Sequence, residues 1–255
     1  MLIGNKYLPQ IVTASSSAPS SPVAGMKWHI DGSDISTLFQ DYTGATPVTT
    51  DGQSVGLWHD NSSYAQHPEQ SVGGYCPLYK TSVKNGLSVV RFDGFDDKLK
   101  VFAPVTTNIT TFEIFLVSKA NSATFERMPL HIGSSSINGM GISQYTVTTG
   151  KKGLLLGGIA WIDGSTAGDT SWHLWLLRRA GGTTTLYDGG TSIATSASTP
   201  ITPTTYTLLG DHTNSNRAAS CDIGEALVYE GLSTSDVNST ANYLANKWGL
   251  SWTSI

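Results

Sequence analysis

Residues 172–190, WHLWLLRRAGGTTTLYDGG, constrain the fold more than any other stretch. A dense apolar run, 172–179, stops at Ala180-Gly181-Gly182; a second run, 183–188, stops at Asp188-Gly189-Gly190. Runs this short, closed by glycine pairs, read as a β-meander. The rhythm recurs at 87–92, which meets a turn at Asp93-Gly94, and at 98–103, which stops at Pro104. Further runs cover 140–147, 153–162, 206–209 and 223–229. In 111–118 (TFEIFLVS), Phe112, Ile114 and Leu116 alternate with Phe115 and Val117, so this strand is expected to be covered on both faces.

Composition agrees. Of 255 residues, 31 are Ser, 31 Thr and 27 Gly, and only 13% are charged, which excludes helical bundles and coiled coils. Seven Trp, ten Tyr and seven Phe exclude a disordered chain. One helix is expected near the C-terminus. Ser233 is its N-cap, Asp236 follows three residues on, and Val237, Ala241, Leu244 and Trp248 share a face before Gly249. The fold class expected is all-β: about a dozen antiparallel strands in two stacked sheets, with a C-terminal helix or turn packed on the edge.

Residues 1–25 read as an N-terminal arm and Ser/Pro linker, and 26–255 as one domain. The arm's apolar tip, Leu2, Ile3, Tyr7, Leu8, Ile11 and Val12, either adds a strand to this domain or docks on another chain. The second is favoured, because a flexible stalk follows the tip. No signal-peptide-length apolar run opens the sequence, so a leaderless chain is expected. The longest apolar run, 153–162, is half of what a membrane-spanning helix needs. A net charge of −4, with Lys151-Lys152 and Arg178-Arg179 as the only adjacent basic pairs, argues against nucleic acid as a partner. Cys76 and Cys221 are expected as free, packed thiols.

Four stretches together resemble one family. Residues 89–101 (VVRFDGFDDKLKV) are similar to the strand-turn-strand of concanavalin A-like, laminin-G-type jelly rolls, and 172–190 to their hairpin. Residues 222–250 are similar to the last strand and helix of bacterial and phage members, and 28–63 to the opening of a subgroup common in tailed-bacteriophage structural proteins. The resemblance spans about 26–252. It implies that Phe92 fills the inter-sheet core, that Asp93-Gly94 turns the chain and that Trp248 anchors the helix.

Glycoside hydrolases of this superfamily carry two or three carboxylates alternating along one strand. Here the nearest pair, Asp222 and Glu225, lies three apart, on opposite strand faces. Glu225 is either a ligand-facing carboxylate on a concave sheet or a charge paired with Arg178 or Arg179, or placed at the sheet edge. His29, His59, His67, His131, His173 and His212 form no zinc-binding spacing, and neither a GxSxG elbow nor a phosphate-binding GxxxxGK[ST] loop is present. Gly157-Gly158 is expected to mark a bulge or close sheet packing. The chain is therefore expected not to be an enzyme.

Ligand-binding candidates are Trp161 with Asp163, and Asp211, His212, Asn214 and Asn216, which set amide or carboxylate groups near an aromatic. No cofactor is expected, apart from a structural Ca²⁺ drawing on the oxygen-rich loops 93–97, 163–169 or 211–216. The function expected is a virion surface protein of a tailed bacteriophage, in the capsid decoration or the tail and fibre apparatus. It would be anchored through the arm to major capsid or tail proteins, and a homo-oligomer. The alternative is an adhesin that recognises bacterial surface glycan.

Overall fold

In the computed structural model, which describes residues 22–123, 128–134, 136–146, 149–211 and 218–255, two antiparallel sheets stack face to face. In chain order the strands are β1 (Trp28–Asp31), β2 (Leu38–Phe39), β3 (Leu57–Trp58), β4 (Leu78–Lys84), β5 (Leu87–Asp93), β6 (Leu99–Val101), β7 (Phe112–Ala120) and β8 (Leu130–Ile132). Then come β9 (Met140–Ser143), β10 (Lys151–Leu156), β11 (Ala160–Ala167), β12 (Trp172–Ala180), β13 (Thr183–Asp188), β14 (Thr191–Ser196), β15 (Thr207–Leu209), β16 (Ser220–Tyr229) and the helix α1 (Thr234–Trp248). The larger sheet runs β14-β13-β12-β7-β16-β5-β4, with β1 also beside β16; the smaller runs β11-β10-β9-β8-β15-β6. The expected all-β sandwich with one helix is what the chain forms. Its strands outnumber the dozen expected because pieces such as β3 and β8, two and three residues long, have no periodicity to read.

β7 shows why the helix is needed. Phe112, Ile114 and Leu116 enter the inter-sheet core with Phe92, Trp175 and Ile223, while Phe115 and Val117 point to the other side. There Val237, Ala241, Leu244 and Trp248 of α1 cover them, together with Leu174, Leu176 and Leu227. The helix therefore lies across the outer face of the larger sheet, not on the edge of the sandwich as expected. An edge position would leave five large apolar side chains in water. Burying the indole of Trp248 alone contributes roughly 4–6 kcal/mol by area. The Ser233 side chain accepts from Asp236 N, and Gly249 ends the helix in the left-handed region at φ 59°.

Two glycines decide local geometry. Gly224 lies where the neighbour of β16 changes from β5, paired through Ile223, to β1, paired from Glu225 onward. A Cβ there would fall 2.8 Å from Cη2 of Trp248, so the bare backbone is what lets the indole lie on the strand. At Gly157-Gly158 the expected bulge within one strand, 153–162, is corrected, while close packing is found: a Cβ on Gly157 would overlap Asn138 O. Gly158 has φ 73° and the chain reverses, Ile159 N donating to Leu156 O, so β10 and β11 form a hairpin. Both cysteines are free and buried.

Candidate functional site

Two buried charge clusters tie elements together. Glu225, with no exposed surface, accepts from His29 Nε2 (2.9 Å), Tyr243 Oη (3.3 Å), Lys247 Nζ (2.7 Å) and Trp248 Nε1 (2.8 Å). Burial pushes its carboxyl up, but the bonds from His29 and Lys247 outweigh that and hold it below the usual range. Lys247 also reaches Asp31 Oδ2 at 2.5 Å, so an ammonium fills the space among His29, Asp31 and Glu225 that a cation would take. Glu225 faces the helix, not a ligand, and β16 is interior to its sheet, not an edge; it is a paired charge, but with Lys247, since Arg178 turns to Glu113 (3.6 Å) and Arg179 to Thr184 (2.9 Å).

The second cluster joins the two sheets. Lys152 of β10 lies 2.9 Å from both Asp169 and Asp188, and His173 of β12 lies 2.9 Å from the same two carboxylates. Burial raises the Asp188 carboxyl, and the bonds from His173 and Lys152 more than reverse it. The expected 163–169 loop is mostly strand, β11 running to Ala167; Asp169 just beyond it is committed to Lys152 and His173, and Asp163 accepts from Thr149 Oγ1 at 2.8 Å. In the 93–97 turn, carboxylate oxygens of Asp93, Asp96 and Asp97 gather within 4.8 Å of one another. Burial, then Asp93 and Asp96, push the Asp97 carboxyl to about 6 against a hydrogen bond from Asp93 N.

Among the described residues, no helix lies on the outer face of the smaller sheet. Register aligns Lys100, Leu208, His131, Gly141, Leu155 and Trp161 in one row across all six strands. At the usual strand spacing the end residues lie about 24 Å apart. The middle of the row is closed, Leu208, His131 and Leu155 being buried, and Gly141 lies close under Met128. Solvent reaches the two rims.

At one rim, Trp161 lines an open cleft of about 290 Å³ with Ser136, Leu155 and Ile159. Asp163, two residues on along β11, shares its face and is exposed. Hydrogen bonds from Thr146 and Thr149 hold its carboxyl below the usual range. Asp211 is buried just beyond β15. His212, Asn214 and Asn216, and the arm residues Leu2, Ile3, Tyr7, Leu8, Ile11 and Val12, lie outside the described residues.

At the other rim a groove of about 260 Å³ runs between β6 and the 69–75 segment, lined by Glu69, Gln70, Tyr75, Lys98, Lys100 and Phe102. Glu69 and Lys100 exchange both backbone hydrogen bonds at 3.0 Å, which sets their side chains on one side. Sequence reasoning missed this groove. One half was legible: Lys98, Lys100 and Phe102 alternate with the buried Leu99 and Val101. The 69–75 half arrives by a long-range bridge that no local pattern encodes.

No family model matches the chain, and no curated protein is similar to it in sequence. Solved structures share its fold. Trypanosoma rangeli sialidase with 2,3-difluorosialic acid has a TM-score of 0.57 and 13% identity over 96% of this chain and 36% of that one. The same sialidase with sialic acid gives 0.57 and 12% over 89% and 34%. An arabinofuranosidase complexed with arabinofuranosyl-alpha-1,2-xylobiose gives 0.54 and 13% over 89% and 60%. The chain thus spans about a third of the length of the sialidases it matches. At these identities the likeness is one of fold alone, a two-sheet antiparallel β-sandwich.

That finding corrects one expectation. The chain was expected not to be an enzyme because no single strand carries a carboxylate string. The same fold occurs within chains named sialidase and arabinofuranosidase, so the exclusion is withdrawn. The sandwich also brings together carboxylates from separate strands, as Asp31 and Glu225 meet on Lys247, which a search along one strand does not detect.

Proposed function

We propose that this protein recognises carbohydrate at the outer face of its smaller sheet, on the Trp161 rim. The observation that carries the reading is Trp161 in an open cleft with the ionised Asp163 on the same strand face. An indole takes the C–H face of a sugar ring and a carboxylate accepts from its hydroxyls, which is the pairing a saccharide site needs. The solved chains of like fold named sialidase and arabinofuranosidase are in keeping with a sugar ligand. The setting we propose, the surface of a tailed-bacteriophage virion as capsid decoration or tail component, rests on the sequence resemblance of residues 28–63 and 222–250.

Titration of the full chain with bacterial surface polysaccharides tests the ligand class. Binding should be lost in Trp161→Ala and weakened in Asp163→Asn, with the fold retained. Binding untouched by both changes refutes the Trp161 site, and silence across the polysaccharides refutes the class. Release of reducing ends in the same mixtures would show turnover. For the setting, incorporation into particles should fail when residues 2–20 are deleted.

A further inference from the structure

Among the described residues, Lys98 and Lys100 at the second rim make no ion pair within 4 Å, and the one carboxylate lining their groove is that of Glu69. Lys27, Lys80, Lys152 and Lys247 each lie within 4 Å of a carboxylate. Lys98 and Lys100 have aromatic faces instead. Lys98 Nζ lies 5.8 Å from the Tyr75 ring centroid, and Lys100 Nζ lies between Phe102 at 4.8 Å and Tyr206 at 4.7 Å. Ring faces hold an ammonium in place without neutralising it. Burial and the neighbouring Lys98 push the Lys100 ammonium below its ordinary range, as expected of a cation short of anions. The other features of the groove are not those of a bare charge patch. Phe102 is 69% and Tyr75 40% exposed, which leaves ring surface open beside the lysines. Glu69 adds a carboxylate, the one acidic group among the described lining residues, while the Gln70 amide braces the groove wall, donating to Lys98 O and accepting from Val72 N.

We infer that the groove between the 69–75 segment and β6 is a second binding site, for an acidic saccharide whose carboxylate or sulfate meets Lys98 and Lys100 while its ring lies on Phe102 or Tyr75. This rests on the carbohydrate reading above but concerns the opposite rim. Glu69 accepts from ring hydroxyls, a role with no counterpart in a simple polyanion. A volume of about 260 Å³ suits one sugar ring and not an enclosed chain, so the rest of the polymer would run out into solvent.

The full chain is titrated calorimetrically with pentagalacturonate, a sulfated heparin hexasaccharide, neutral maltopentaose and pentaglutamate. At least one acidic saccharide should bind. Lys98→Gln/Lys100→Gln should weaken that binding by about tenfold or more, as loss of charge-assisted bonds does. Phe102→Ala, at an exposed position, should weaken it too, and Trp161→Ala should not. Maltopentaose and pentaglutamate should bind far more weakly. The inference is overturned if neither acidic saccharide binds, if the lysine variant binds as tightly as the native chain, or if pentaglutamate matches the sugars. Loss in Trp161→Ala with none in the lysine or Phe102 variants overturns the groove and leaves the Trp161 reading standing. Binding confined to the groove does the reverse.

Discussion

The ammonium of Lys247, in the last turn of the helix, lies 2.7 Å from the carboxylate of Glu225, on the last strand, where no solvent reaches that carboxylate. Asp31 of the first strand shares the same ammonium. One lysine thus joins both ends of the described domain. Burial opposes its charge, but Glu225 and Asp31 outweigh burial and raise its affinity for the proton.

Lys247→Met should destabilise the protein by roughly 3–5 kcal/mol, because it leaves a buried carboxylate short of its counter-charge. The urea midpoint measures this. A midpoint moved by less than the effect of an ordinary surface substitution would show that the helix is held by apolar contact alone.

Gly224→Ala adds a methyl where Trp248 ring atoms lie 2.8–3.0 Å away. The indole is fully buried and has no room to withdraw, so the helix must shift. A loss of roughly 1–3 kcal/mol is expected, the range for overpacked cores. Near-ultraviolet dichroism of the tryptophans should change with it, and an unchanged spectrum would count against this packing.

Lys152→Met removes the cation between Asp169 and Asp188 and should loosen one end of the sandwich. A loss of roughly 2–4 kcal/mol is expected, below the full buried-pair value because Asp169 is partly solvated. The Asp188 carboxyl is held below its ordinary range, so the stability it contributes is full above about pH 4. It is lost as pH falls through the lower, folded value. Melting temperatures should therefore drop on acidification in the native chain and drop less in the variant.

Asp97 works in the opposite direction. Its folded carboxyl titrates near 6 against an ordinary 3.8, so between those values the folded chain binds the proton and the unfolded chain does not. Stability should fall as pH rises from about 4 to above 6, by on the order of 3 kcal/mol. Asp97→Asn keeps an oxygen for Asp93 N and removes the charge. It should raise the melting temperature at pH 7.5 and flatten the profile, with chelator present throughout. A variant that melts lower at pH 7.5 would refute the assignment.

The meander at 172–190, the two-faced strand at 112–120 and the capped helix were all legible, because each is written in local alternation, turn residues or helical spacing. The alternation in TFEIFLVS even required a covering layer on the far side. It did not say that α1 was that layer. Trp161 and Asp163 were named from their chemistry alone, an aromatic near a carboxylate; that they share a strand face follows from β11, which runs on through 163 where the sequence suggested a loop. The groove at Lys98 and Lys100 was half visible, since its other wall lies 23 or more residues earlier in the chain.

Local pattern determined which residues became strands, where they turned and which faces sought cover, since backbone geometry and apolar periodicity act over a few residues. Only the tertiary structure decided which charges met. Glu225 with Lys247, Lys152 with two aspartates, and Lys98 and Lys100 with aromatic rings depend on strand order and register across the whole chain. A charge is neutralised or left open by what long-range folding places beside it, and the sequence near it holds no record of that neighbour.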